Sequence, residues 1–230
     1  ILHLNDPVIE IEITPNRGDC LGVRGIARDL AASGIGTLKE LKVFEVEGEF
    51  ESSINWKIDL KEKEQYLCPK IFGRSFKNLE NKQSPVWMKN RLLAVDQRPI
   101  SSIVDITNYI MIDLGRPLHA YDIDKIEGND LTIKKSKTGE KFYALNGKIY
   151  DLDNDMLVIS DKHGVDDLAG IMGGERTGVT ESTTHMFLEA AIFDPISIAQ
   201  TGRKLNINSD ARYRFERGLD YESPELVMNY

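Results

Sequence analysis

The side chains able to do chemistry are few, and most stand without a companion at short spacing. His119 follows Gly115-Arg116-Pro117-Leu118, a rigid turn past an expected helix end. A histidine there is either a satisfied packing residue or an acid–base group. Glu189 interrupts the apolar run from Met186 to Phe193, so a strand there carries a carboxylate on an exposed edge or near the interior. In the interior it needs a partner or a displaced pKa, and such groups are enriched at functional sites. Asn108 falls in a helical pattern where Asn is a mediocre former, so its side chain is either solvated or engaged in tertiary contacts. Gly170-Ile171-Met172-Gly173-Gly174 is either a tight turn using positive φ or backbone left bare for a ligand to reach its N–H groups. It has neither the Lys-Ser/Thr of a P-loop nor dinucleotide-fingerprint spacing.

No metal site is expected. His3, His119, His163 and His185 are never paired at zinc-ligand spacing, and Cys20 and Cys68 have no C-x-x-C neighbour. Asp151-x-Asp153-x-Asp155 begins like an EF-hand loop, but Met156 stands where Gly is needed and Lys162 where a bidentate Glu belongs. No G-x-S-x-G nucleophile signature occurs. Arg203, Lys204, Arg212, Arg214 and Arg217 make the C-terminal region locally basic, as a solvated face paired with Asp210 and Glu216 or as a phosphate path.

These residues must be positioned by an ordinary globular scaffold. The 230 residues are 41% hydrophobic and 29% charged, with a net charge of −8. That balance excludes collagenous, disordered and membrane-spanning classes, and it argues against a duplex-binding footprint, which needs clustered Lys and Arg. Two cysteines cannot make a disulfide framework, so a reducing cytoplasm is expected. The chain starts at Ile1 without a basic, apolar leader and stops inside a plausible helix from Glu222 to Tyr230, so a piece of something larger is expected.

Period-two alternation from Val8 to Ile13 predicts a strand, and Asp19 an N-cap for a helix to Ala32 that ends at Gly34. Residues 46–65, rich in Glu and Lys, read as a charged linker or edge hairpin between the 1–45 segment and a unit spanning 66–221. Residues 222–230 would start a following segment. In that unit Ile71 to Phe76 could be a strand, and Pro85 is placed at the first position of a short helix. Ser102-x-x-Asp105 resembles a capping box for a helix with Ile103, Ile106, Ile110 and Met111 inward, ended by Gly115. Strands follow at Leu131 to Lys135, Lys141 to Leu145, Lys148 to Leu152 (with Asn146-Gly147 as the hairpin turn), Met156 to Ser160, Leu168 to Met172 and Met186 to Ala191. Two last helices start at Asp194-Pro195 and Ser209-Asp210 and close near Gly202 and Gly218. Helices and strands are segregated, which predicts an α+β fold with mixed and antiparallel sheets, helices packed on one side, and a small strand–helix segment in front.

Taken together, local strings resemble one family. Ile13-Thr14-Pro15-Asn16-Arg17-Gly18-Asp19-Cys20-Leu21 and Gly25-Ile26-Ala27-Arg28 resemble the stretch before the central module of bacterial phenylalanyl-tRNA synthetase beta subunits. Arg98-Pro99-Ile100, Val104 to Tyr109 and Leu114 to Asp122 resemble the most diagnostic part of that module. Ala169 to Glu175, Leu188 to Phe193 and Asp210 to Gly218 follow in matching order.

The resemblance implies a beta-subunit region containing the B3/B4 editing domain, which hydrolyses tyrosine misattached to the phenylalanine tRNA. It implies as partners the 3′ end of that tRNA carrying tyrosine and a catalytic alpha subunit in an α2β2 enzyme, with no membrane. No cofactor is implied for this region; ATP and Mg2+ would serve the parent enzyme elsewhere. Glu189 matches the glutamate that reads the tyrosine hydroxyl and His119 the site histidine. Arg98, Thr107, Asn108, Gly173 and Ala211 match further site positions, and Gly170 and Gly173 would give the substrate close approach to backbone. His119, Asn108 and Thr107 would be the catalytic residues, with His119 and Asn108 ordering the terminal adenosine and the water, while Glu189, Gly170, Gly173, Ser209, Ala211 and Arg98 would bind substrate. Ser209 departs from the usual Thr, Tyr121 from Phe and Arg116 from Gln. The chemistry has a reason: an apolar phenylalanine pocket rejects an added hydroxyl only about a hundredfold, whereas a site built to bond that hydroxyl can discriminate roughly ten-thousandfold. The competing readings are a non-catalytic tRNA-end or peptide binding module with a degenerate pocket, and a structural spacer in which Glu189 is exposed.

Overall fold

The apolar run that Glu189 interrupts is the middle strand of a three-stranded antiparallel sheet, and the rest of the fold is arranged about its two faces. A computed structural model describes residues 7–230. In chain order the elements are α1 (Val23–Ala32), β1 (Asn55–Asp59), β2 (Lys70–Phe76), α2 (Val86–Ala94), α3 (Ser102–Leu114), β3 (His119–Asp122), β4 (Asp130–Lys135), β5 (Lys141–Tyr143), β6 (Ile149–Asp151), β7 (Leu157–Ser160), β8 (Val165–Leu168), β9 (Met172–Gly173), β10 (Met186–Ile192), α4 (Pro195–Lys204), α5 (Asp210–Phe215) and α6 (Ser223–Asn229). The fold is α+β. One sheet runs β2-β10-β3; a second runs β1-β4-β7-β8-β9, parallel at its β1–β4 edge and antiparallel elsewhere; β5 and β6 form a hairpin.

Alternation along β10 divides the interior in two. Leu188 and Ala190 point to a layer with Ile103 and Ile110 of α3 and Val227 and Met228 of α6. Phe187 and Ala191 point the other way, into the main core with Leu131, Ile133, Val158, Ile159 and Leu168 of the second sheet. This is the period-two consequence of a strand buried on both sides. Glu189 falls on the second face, between the sheets. Among the described residues no helix is long and apolar enough to cross a membrane.

Several sequence expectations are corrected. Val8 to Ile13 forms no strand: no described strand pairs with it, and Val8, Ile9 and Ile11 are exposed. Asp19 lies in a 3-10 turn, Gly18–Cys20, with its carboxylate held by Arg17 and Arg28, and the helix starts after Gly22. Leu30 of this helix is exposed. Within 46–65 the chain forms neither a plain linker nor a hairpin: β1 joins the sheet edge singly, parallel to β4. Pro85 is the N-cap of α2 rather than its first residue. Ser102 and Asp105 make no capping box. Ser101 is the cap, and the buried Asp105 carboxylate accepts from Ser84 Oγ at 2.6 Å and Ile100 N at 2.7 Å. Ile106 is exposed. Leu168 to Met172 is not one strand but the turn between β8 and β9. Gly202 lies inside α4, where it makes room for the Arg212 side chain.

Candidate functional site

The register of β10 assembles the site. Glu189 stands opposite His119 of β3 on one side and Gly73 of β2 on the other. Directly opposed residues of an antiparallel pair share a face, and the alternation adds Tyr121 and Phe187 to it. The second sheet faces them with Asp167 of β8, itself opposite Gly173 of β9. A cavity of about 70 Å3 lies at this join, lined by His119, Asp167, Gly170, Gly173, Glu189 and Ala211 among others.

The two glycines serve different ends. Gly170 has φ +68° and makes the β8–β9 turn, and an added Cβ would press on Phe193 and Phe215. Gly173 is not in the left-handed region; its missing Cβ leaves room for the His119 imidazole, whose two nitrogens would each lie 3.0 Å from that atom. The turn reading of the glycine cluster holds at Gly170, whereas at Gly173 the space a side chain would take is filled by the His119 ring. Tyr121 packs its ring edge-on to His119, with centroids 4.4 Å apart.

The polar groups here are buried and sparsely paired. Glu189 is 5% exposed and Asp167 4%. Burial pushes the Glu189 carboxyl up to about 7, opposed by the Arg116 cation and by the Tyr121 hydroxyl, which donates to Oε2 at 3.4 Å. Burial, reinforced by Glu189 and Asp166, holds Asp167 well above the usual carboxylate range. Burial lowers His119 to about 4, so its imidazole is neutral at physiological pH. His119 Nε2 is shut from solvent without a hydrogen bond, 3.5 Å from Asp167 Oδ2. Arg116 is fully buried after the α3 turn. Its Nη2 donates to Ala191 O, and its guanidinium lies 5.6 Å from the Phe215 ring centroid. A neutral imidazole, a carboxyl poised near neutrality and a hydroxyl in one dry corner can bind a phenolic or alcoholic hydroxyl and handle a proton beside it.

The residues singled out from sequence divide into two groups. His119, Gly170, Gly173, Glu189 and Ala211 line the cavity. Ser209 caps α5 beside it, accepting from Arg212 N at 3.1 Å and donating to Ile171 O at 2.6 Å. Thr107 and Asn108 lie half-buried in the middle of α3, and Arg98 is exposed in the loop before it; none of the three lines the cavity. Asp167 was not among the sequence-expected site residues, and Tyr121 and Arg116 were expected only as departures at the pocket's edge. The available signal for Asp167 was Asp166-Asp167 set between Val165 and Leu168-Ala169, where alternation puts one carboxylate inward. The other, Asp166, is tied by Arg176.

Neither alternative for the basic stretch describes it as a whole. Arg212 is buried, bonding Glu216 Oε2 at 3.0 Å and Ile207 O at 2.6 Å, and Arg214 reaches Leu21 O at 3.2 Å. These arginines tie the fold together. A larger cleft, about 680 Å3, lies between the segments around Asn16–Leu41 and Arg217–Val227. Its carboxylates are engaged, Asp19 by Arg17 and Arg28, Glu222 by Lys70. Asp19, Cys20 and Asp29 gather three ligand-type atoms, but Arg17 and Arg28 already supply the positive charge.

A family model described as the B3/4 domain matches residues 67–230. The phenylalanine–tRNA ligase beta subunit of Paramagnetospirillum magneticum is 55% identical over 215 residues, covering 94% of this chain and 27% of that protein. That of Gluconobacter oxydans is 50% identical over 227 residues, 99% of this chain and 26% of that protein. The chain thus spans about a quarter of the length of these relatives. Among solved structures, an N-terminal fragment of the phenylalanyl-tRNA synthetase beta-subunit from Pyrococcus horikoshii aligns over 82% of this chain and 58% of that one, at 19% identity and a TM-score of 0.45.

Proposed function

The chain belongs to the B3/4 domain family, and on that premise we propose that it is the editing region of a phenylalanine–tRNA ligase beta subunit, hydrolysing the ester of tyrosine misattached to the phenylalanine tRNA. The observation that carries the reading is Glu189: a carboxyl on a central strand, shut from water, facing a small cavity beside a histidine. A buried carboxyl is costly unless something uses it, and a phenol hydroxyl is a partner that phenylalanine lacks.

In this reading Glu189 and Tyr121 bond the phenol hydroxyl. Phenylalanine entering the same space would leave Glu189 without that partner, which is the source of selectivity. His119, seated against the bare backbone of Gly173, orders the attacking water and the terminal adenosine. Asn108, Thr107 and Arg98, away from the cavity, would hold the tRNA end rather than the amino-acid side chain. No step needs a cofactor here; ATP and Mg2+ would serve the ligation reaction outside this region. The partners would be the tyrosylated tRNA 3′ end and a catalytic alpha subunit, in the cytoplasm.

One observation favours a non-catalytic binding module instead. The cavity, about 70 Å3, is smaller than the roughly 150 Å3 that accommodates benzene in an engineered protein core, so a phenol ring enters only if the walls part. Single-turnover hydrolysis of tyrosyl-tRNA and phenylalanyl-tRNA by wild type and His119→Ala separates the readings. Editing predicts rapid, tyrosine-selective hydrolysis that His119→Ala abolishes while aminoacylation by the parent enzyme continues. Retained hydrolysis in the variant removes His119 from the mechanism, and none in wild type leaves the binding module.

A further inference from the structure

The His119 ring is held on three sides, yet one of its nitrogens has no partner of its own. Tyr121 closes one face edge-on, and the missing Cβ of Gly173 accommodates the Cε1 edge. Nε2 is sealed from solvent, and among the described residues the carboxylate it pairs with is Asp167, whose Oδ2 lies 3.5 Å away. That separation is too short for an intervening water and closes to a hydrogen bond with a shift of a few tenths of an ångström. The side chain keeps 20% of its surface exposed, and Nε2 has no share in it. Histidine and aspartate come from different sheets, β3 and β8, so the contact bridges the join where the cavity lies.

We propose that Asp167 is a positioning residue for His119: its carboxyl O–H donates to Nε2 across the join, fixing the tautomer in which Nδ1–H faces the cavity. This rests on the hydrolytic reading of the cavity and adds to it a direction for the imidazole. Which ring nitrogen carries hydrogen is set by the bond the other one makes. Here Nε2 is the acceptor, and Nδ1–H is the donor offered to the oxygen that gains charge when the ester carbonyl is attacked. The groups facing the pair are consistent with a protonated carboxyl. Glu189 from β10, Asp166 from β8 and burial all favour the neutral acid, and Tyr121 contributes a neutral hydroxyl. Arg116, the nearby cation, is directed at Glu189.

The test reads the tautomer directly. Long-range 1H–15N NMR of the 230-residue chain, with His119 signals identified by loss in His119→Gln, should show protonated Nδ1 and unprotonated Nε2 at neutral pH. Asp167→Asn, whose amide N–H can donate to Nε2, keeps that pattern. Asp167→Leu, of similar volume but with no donor, loses it. In single-turnover hydrolysis of tyrosyl-tRNA the saturating rate constant of the Leu variant should fall on the order of a hundredfold with the half-saturating enzyme concentration little changed, and the Asn variant should stay near wild type. A purely packing role predicts equal activity for Asn and Leu. Nε2–H in wild type, or an unchanged tautomer in the Leu variant, overturns the proposal. If the tautomers follow the expected pattern while no form of the chain hydrolyses the ester, the positioning contact stands and the hydrolytic reading falls.

Discussion

Replacing Gly173 by alanine tests the geometry of the site with one methyl group. The added Cβ would lie 3.0 Å from both imidazole nitrogens of His119 and closer still to Cε1, against ordinary contacts of 3.4–4 Å. Backbone at Gly173 is held by its pairing with Asp167, so the yielding part is the histidine ring. The Tyr121 ring already stands against the imidazole at a centroid distance of 4.4 Å, so retreat in that direction is blocked. The ring must swing away by roughly 1 Å, a misplacement that costs on the order of a hundredfold in rate, or about 2.7 kcal/mol of barrier. The assay is single-turnover hydrolysis of tyrosyl-tRNA, with a thermal melt by circular dichroism to show that the fold persists. A loss of about a hundredfold with the melt nearly unchanged is expected. Activity within threefold of wild type would refute the claim that the imidazole must occupy the space beside Gly173.

Two further outcomes follow from burial and close packing. Glu189 keeps its proton up to about pH 7 in the folded chain, whereas the unfolded carboxyl releases it near the ordinary value of 4.5, so the unfolded state binds fewer protons in that window. Stability therefore falls as pH rises through it, by about 3 kcal/mol for this group, and Glu189→Gln should flatten that part of a urea-denaturation series against pH. A parallel pH dependence in the variant would show that Glu189 is not the group titrating. Gly22 meets the end of α3 backbone to backbone: a Cβ there would lie 2.7 Å from the Leu114 carbonyl carbon. Gly22→Ala should cost about 1–3 kcal/mol in urea unfolding, and an unchanged midpoint would mean that the α1 segment is not docked there.

The site was partly legible in the sequence because some residues break a local pattern. A carboxylate inside an apolar run can only be an edge or an interior feature, and the flanking apolar residues on both faces of β10 make it interior. Gly170 announced a turn by type. Gly173 could not be separated from it, since its role depends on a histidine more than fifty residues earlier that only the sheet join brings near. Asp167 escaped because alternation in a four-residue strand does not say which of two adjacent aspartates faces the sheet join, and here both are buried, Asp166 on Arg176. The expected strand at Val8 to Ile13 failed for the converse reason: alternation describes a face, and a face makes a strand only where a neighbour supplies hydrogen bonds. Asp19 and Asp105 looked like helix caps by spacing, but arginines and loop amides outside the helix frame claimed their oxygens. Spacing records local options, and tertiary partners choose among them.

The central claim is that Glu189 makes this cavity a reader of the tyrosine hydroxyl. The most direct measurement is a calorimetric or NMR titration of the chain with L-tyrosine and with L-phenylalanine, on wild type and Glu189→Ala. The account predicts tyrosine-selective binding that the substitution abolishes. Equal affinity for the two amino acids in wild type, or selectivity that survives the loss of Glu189, would contradict it.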